Sequence, residues 1–267
     1  MQVERVRVDD LRIAGYRDVS DGELLRARGL FVAEGRLVVR RIVEDRRHLV
    51  RSVLLSETAR RALEPALEAR APDVPVYVCD VSDLLALTGF TFHRGCLALV
   101  ERPAARTVEE VLRPADVAVV LEGVANADNM GGVFRNAAAF GAGAVLLDPA
   151  CCDPLYRKAV RTSMAATLRV PFARLVRWPD QLADIRREGF RLVALTPREG
   201  AEPIDAFASR PRASKLALLV GAEGSGLSPA VEASADCRVS IPIRRDVDSL
   251  NLAVATGIAL HLLARRT

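Results

Sequence analysis

No stretch of this 267-residue chain approaches the roughly 20 consecutive apolar residues that a membrane helix needs. The opening residues, MQVERVRVDD, contain no apolar core, which argues against a secretory signal. These two absences make a cytoplasmic protein the expectation. Histidine is scarce, and His48, His93 and His261 lie far apart. The five cysteines are Cys79, Cys96, Cys151, Cys152 and Cys237. Only the adjacent pair is close, and zinc does not use that spacing. No metal site is expected, and an odd number of cysteines in a reducing compartment reads as free thiols. Lysine is nearly absent too, a bias that genome composition alone can produce. Acidic residues are missing between Pro154 and Pro179, where Arg157, Lys158, Arg161, Arg169, Arg174 and Arg177 all lie. Such a run is usually a solvated face; the alternative is a set of phosphate contacts.

What is present fits a globular protein. Hydrophobic residues make up 50% of the chain and charged ones 27%, with a net charge of +4. That mild excess permits nucleic-acid binding without requiring it. The length suits one large domain or two smaller ones. ERPAARTVEEVLRPAD, near residues 101–115, is polar and carries Pro103 and Pro114. It reads as a partly helical linker, dividing the chain into domains 1–105 and 106–267.

The first half mixes short strands and helices. Val38, Val39, Ile42 and Val43 fall at helical spacing, RRALEPALEA is helical, and 82–89 reads as a short helix. VRSVLLSE, PVYVCD and GCLALVER are strand-like. The second half alternates more regularly, with strands at 116–123, 143–148, 169–175, 191–196, 215–221 and 237–243. Helices are predicted over 130–140, 154–167, 179–188, 228–235 and 249–265. The strands are nearly continuous Val, Leu, Ile and Ala, as expected of parallel strands covered on both faces. An α/β protein with a parallel sheet follows, and such sheets bind ligands beyond the carboxyl ends of their strands.

Three loops at those ends carry unusual chemistry. In LEGVANADNMGGVFRNAAAFG, Asn129 is a candidate N-cap, and Gly141 can close the helix. Gly131 and Gly132 each cost about 1 kcal/mol relative to alanine in a helix interior, which implies a close approach to the backbone. Arg135 offers a planar fork to a phosphate or carboxylate, or simply reaches solvent or an internal acid. In LLVGAEGSGLSPAVEASAD the glycines are spaced G-x-x-G-x-G, which is not the dinucleotide fingerprint, and Glu223 would repel a pyrophosphate. Ser228-Pro229 reads as N-cap and first helical position. In SIPIRRDVDSLNLAVATGIALHLLARR, Asp248 or Ser249 is the candidate cap, and Ser249 and Asn251 sit close to unpaired backbone N–H groups.

Together the loops resemble the motifs of the SpoU, or TrmH-type, branch of the SPOUT RNA methyltransferases. Asn129 and Arg135 match the first motif. Gly221-Ala222-Glu223-Gly224-Ser225-Gly226-Leu227 matches the second, and Ile241-Pro242-Ile243 with Ser249-Leu250-Asn251 the third. The resemblance spans about residues 116–266. More weakly, Phe31-Val32-Ala33-Glu34-Gly35 and His93-Arg94-Gly95 resemble an L30e-like substrate-binding domain.

The resemblance implies a C-terminal SPOUT domain with a trefoil knot, and methyl transfer from S-adenosylmethionine to a ribose 2′-oxygen of RNA. It also implies a homodimer in which the partner subunit helps complete each site. By match to the motifs, Thr196, Gly221, Ile241 and Leu250 would contact the cofactor. Arg135 would orient the ribose and stabilise charge on the 2′-oxygen; a guanidinium holds its proton at neutral pH and is a poor base. Asn129, Glu223, Ser249 and Asn251 would hold Arg135, the ribose and the loops in place. Ribosomal RNA is the first expectation by analogy, and transfer RNA the second. A nucleotide-dependent enzyme on an unknotted sheet and a non-catalytic RNA-binding module are the competing readings.

Overall fold

The computed structural model describes residues 2–17, 21–83, 95–211, 214–244 and 246–264. They form two compact units, Met1–Ala104 with Leu155–Ala165, and Ala105–Pro154 with Ala166–Thr267. The first unit contains β1 (Val3–Arg5), α1 (Asp21–Arg28), β2 (Leu30–Glu34), α2 (Arg36–Glu44), β3 (Val50–Leu55), α3 (Glu57–Arg70), β4 (Val76–Val78) and β5 (Cys96–Glu101). Its sheet runs β1-β4-β3-β5-β2. β1, β4 and β3 are parallel, while β5 is antiparallel to β3 and β2. In α2 the apolar spacing decides the buried face, and Val38, Val39, Ile42 and Val43 are all buried. β1 and β2 were not expected from the sequence. Phe31–Gly35 covers β2 and its exit, whereas His93 and Arg94 and most of the helix predicted at 82–89 lie outside the described residues.

The second unit carries β6 (Val117–Glu122), β7 (Ala144–Leu147), β8 (Phe172–Arg174), β9 (Phe190–Leu195), β10 (Glu202–Pro203), β11 (Lys215–Gly221) and β12 (Cys237–Ser240). They form one sheet in the order β10-β12-β9-β11-β6-β7-β8, parallel at every pairing. The remaining helices of the chain, in order, are α4 (Val108–Leu112), α5 (Ala127–Phe140), α6 (Arg157–Thr162), α7 (Leu182–Arg187), α8 (Ile204–Ala208), α9 (Pro229–Ala233) and α10 (Leu252–Leu263), all in the second unit except α6. β11 is the central strand, buried from Leu216 to Val220, and its continuous apolar run reflects cover on both faces. α5 buries Met130, Val133, Phe134 and Ala137, an i, i+3, i+4, i+7 stripe. Phe134 meets Phe172 of β8 edge-on, with ring centroids 5.8 Å apart.

Several local expectations shift. α5 begins at Ala127, because Asn126 rather than Asn129 is the N-cap; its side chain accepts from the N–H groups of Asp128 and Asn129. α10 is capped by Asn251, not by Asp248 or Ser249. The strand predicted to reach residue 243 ends at Ser240. The predicted helix 154–167 is broken: α6 ends at Thr162 and a single 3₁₀ turn follows at Ala166–Leu168. Gly141 closes α5 in the left-handed conformation, and Ser228 caps α9 with Pro229 at its start, both as the sequence implies.

The basic 157–177 stretch is divided between the units. α6 belongs to the first unit, where Arg157 and Arg161 both bind the fully buried carboxylate of Glu34 on β2. Arg174 donates to the carbonyl of Cys151 at 3.1 Å, and Arg177 pairs with Asp184 at 3.0 Å. At least four of its six cations thus already have internal partners, which weakens the reading of this stretch as a phosphate track. No helix among the described residues is long and apolar enough to cross a membrane.

Candidate active site

The second unit brings the three unusual loops together through one side chain. Asn251 Nδ2 donates to Asn129 Oδ1 at 2.9 Å and to Glu223 Oε1 at 2.6 Å. Its Oδ1 accepts from the N–H groups of Ala253 and Val254, which caps α10. Glu223 also accepts from the N–H of Leu252 at 3.3 Å. Asn251 thereby spends both kinds of amide hydrogen-bonding capacity at once: it terminates a helix and ties α5 to the glycine loop. Asn129 is buried, at 6% exposure, so its carbonyl oxygen needs the donor that Asn251 supplies.

Beside this network lies a cavity of about 350 Å³. Thr196 and Pro197 after β9, Gly221 at the end of β11 with Ala222–Gly224 beyond it, and the segment after β12 line it. Thr196, Gly221, Ile241 and Leu250 all belong to its wall, with Ser249 and Glu223. The position is the one chain physics favours, beyond the carboxyl ends of parallel strands. Gly221 is fixed by space. A Cβ there would stand 2.0 Å from the carbonyl carbon of Gly226, which has a φ of 66° where the loop folds back. The hydrogen bond from the N–H of Gly226 to the Ala222 carbonyl closes that turn.

Arg135 is placed elsewhere. It is exposed, has no hydrogen bond or ion pair among the described residues, and does not line this cavity. It borders a separate, open depression of about 650 Å³ between α5 and α10, with Gly132, Phe140, Val254, Gly257 and Leu262. At Gly132 the close approach that the sequence announced is made by α10: a Cβ there would sit 2.5 Å from that of Ala253. Asn136 strengthens this packing by donating to the Ala253 carbonyl at 2.6 Å.

Two supports were not foreseen. Arg198 donates to the Leu227 carbonyl at 3.2 Å and pairs with Glu232 at 3.2 Å, tying the segment after β9 to the end of the glycine loop. Glu122, at the end of β6, accepts from the indole of Trp178 and from both the N–H and hydroxyl of Ser228. Neither pairing has a sequence signal, because the partners are 29 or more positions apart.

All five cysteines are free. The Cys151 thiol is enclosed, donating to the Leu121 carbonyl and accepting from the Val124 N–H. Burial, then the Asp148 carboxylate, pushes its pKa well above the usual thiol range. Burial raises Cys152 to about 11, so the adjacent pair is poorly suited to nucleophilic chemistry. Among the described residues no three histidine, cysteine or acidic side chains group as a metal site.

Residues 116–261 match the model of the SpoU rRNA Methylase family. An uncharacterized tRNA/rRNA methyltransferase of Mycobacterium bovis is 38% identical over 257 residues, which covers 95% of this chain and 88% of that one. The rRNA methyltransferase of Sinorhizobium meliloti has the same fold, with a TM-score of 0.78, 23% identity and 98% of both chains covered. The SpoU methyltransferase AviRb of Streptomyces viridochromogenes, solved with the cofactor AdoMet, aligns with a TM-score of 0.76 and 23% identity over 95% of this chain and 97% of its own. With more than half its length matched and a relative of this identity along nearly all of it, the chain belongs to the SpoU rRNA methylase family of RNA methyltransferases.

Proposed function

We propose that this protein transfers a methyl group from S-adenosylmethionine to a ribose 2′-hydroxyl of RNA, with ribosomal RNA as the first candidate and transfer RNA as the second. The observation that carries the reading is the Asn129–Asn251–Glu223 network beside an apolar, glycine-edged cavity. That cavity fits the donor. Leu195, Val220, Ile241, Leu250 and Leu252 offer apolar wall to an adenine and a methionine chain, and the glycine loop offers backbone edges. Glu223 and Asp248 line it, and no arginine or lysine does so among the described residues. That charge pattern suits a cationic donor and opposes a pyrophosphate, which disfavours the nucleotide-dependent alternative. AviRb, of the same fold, binds AdoMet.

The bound donor supplies a methyl on a sulfonium, which leaves with its bonding electron pair remaining on sulfur. The chain's part is to align an oxygen with that carbon and exclude water. Thr196, Gly221, Ile241 and Leu250 hold the donor, while Asn129, Glu223, Ser249 and Asn251 fix the loops around it. Arg135 orients the ribose and its phosphate and stabilises negative charge developing on the 2′-oxygen as its proton is lost to solvent. Because Arg135 borders the depression rather than the cavity, the reading includes a homodimer. A second copy, seated on the exposed apolar face of α5 and α10, completes each site. Val254, at 51% exposure, and Leu262, at 37%, lie on that face. The first unit, as an L30e-like domain, selects the RNA by shape and unpaired bases. The trefoil knot of the C-terminal domain and a cytoplasmic location belong to the same reading.

Incubation with labelled adenosylmethionine and total RNA tests it. Label is expected at a 2′-O-methyl ribose, and mapping the sites lost on gene deletion separates ribosomal from transfer RNA. Label on a base, or none in RNA while the donor binds, would refute the ribose assignment.

A further inference from the structure

Of the two carboxylates lining the cavity, Glu223 is occupied by Asn251 and the N–H of Leu252. Asp248 is exposed on the same wall and has no hydrogen bond or ion pair among the described residues. Its role is not capping, since Asn251 caps α10. The described cations nearest in sequence and on the facing loop are committed elsewhere: Arg244 binds Asp246, and Arg198 binds Glu232 and the Leu227 carbonyl. The rest of the wall is apolar side chain, hydroxyl or glycine backbone. Among the described residues, a carboxylate with no counter-ion therefore faces a space whose field no neighbouring cation cancels.

We propose that Asp248 is a specificity residue that discriminates the charged methyl donor from its spent product. The two molecules share the adenosine, the ammonium and the carboxylate. They differ at sulfur: the S–CH₃ bond breaks with its electron pair left on sulfur, so a sulfonium becomes an uncharged thioether. An unpaired carboxylate in the cavity stabilises the first and does nothing comparable for the second. The spent molecule then leaves a site that no longer attracts it, which limits product inhibition. The inference rests on the donor placement proposed above and is independent of which RNA atom is methylated.

Titration calorimetry on the full chain without RNA tests it. The probes are S-adenosylmethionine, S-adenosylhomocysteine and sinefungin, which carries a protonated amine in place of the methyl sulfonium. Asp248→Asn is expected to weaken the methionine form and sinefungin by about tenfold each, and the homocysteine form by less than about twofold. Equal losses for all three would assign Asp248 to the shared ammonium or ribose and overturn the proposal, as would an unchanged donor affinity. Ile243→Arg adds a cation at a 36%-exposed position of the same wall. It is expected to weaken the methionine form more than the homocysteine form. If Ile243→Arg alters neither, the donor lies elsewhere, and the placement fails separately from the role of Asp248.

Discussion

Helix α10 presents Leu252 and Ala255 to the cavity of about 350 Å³, and Val254, Gly257, Ile258, His261 and Leu262 to the open depression of about 650 Å³. The first face is locked: Asn251 holds α5, the glycine loop and its own helix start in one set of hydrogen bonds. The second is loose at its edge, where the guanidinium of Arg135 has no partner among the described residues. A small ligand gripped by backbone needs loops that are already in place, since ordering them on binding would consume affinity. A guanidinium meant for RNA must remain free of internal acids until the RNA arrives. On the reading proposed above, one helix would serve both needs, because residues three and four apart share a face and the remaining positions turn away from it.

Three substitutions break this contrast in order of expected effect. Arg135→Lys removes the planar fork, and methyl transfer should fall by about a hundredfold or more while donor affinity holds. Near-normal turnover in a steady-state assay would remove Arg135 from the chemistry. Val254→Glu puts a charge on the apolar depression without touching the cavity wall. If a second copy sits there, the dimer dissociation constant should rise by about a hundredfold, the cost of burying an unpaired carboxylate. Sedimentation reads this directly, and an unaltered association state would show that the face is not the interface. Asn251→Ala attacks the locked side. It removes a helix cap and leaves the buried Asn129 oxygen without a donor, and should destabilise the second unit by about 2 kcal/mol in urea unfolding. A loss of stability with intact donor affinity would mean that the network holds the fold but not the cavity.

Much of the second unit was legible because its signals are local. The apolar runs of β6 and β11 are long enough to specify buried parallel strands, and Ser228-Pro229 and Gly141 mark helix ends by their own backbone preferences. The motifs grouped Asn129, Arg135, Glu223, Ser249 and Asn251; hydrogen bonds join Asn129, Glu223 and Asn251, while Ser249 lies on the cavity wall and Arg135 borders the separate depression. The errors arose where two residues could do the same local job. Asn126 and Asn129 are both good caps, as are Asp248, Ser249 and Asn251. Asn126 takes the first cap and leaves Asn129 free to accept from Asn251, while Asn251 takes the second and leaves Asp248 and Ser249 on the cavity wall. The predicted helix 154–167 breaks where Met164 and Ala165 take positive φ values of 54° and 64°, and the assignment of its first part to the other unit reflects a long-range pair. Glu34 takes Arg157 and Arg161 into the first unit, and no window of neighbouring residues contains that interaction.

Composition and pattern alone determined that this chain folds as α/β, and that its second half is a parallel sheet with three chemically unusual loops after its strands. These are consequences of periodicity and of backbone preference, which each segment carries with it. Only the tertiary structure decided that Gly132 admits a helix, that Arg135 stands apart from the cavity, and that Asp248 has no counter-ion among the described residues. Each of these depends on which distant group fills the space or satisfies the charge, and that is settled by packing across the whole unit.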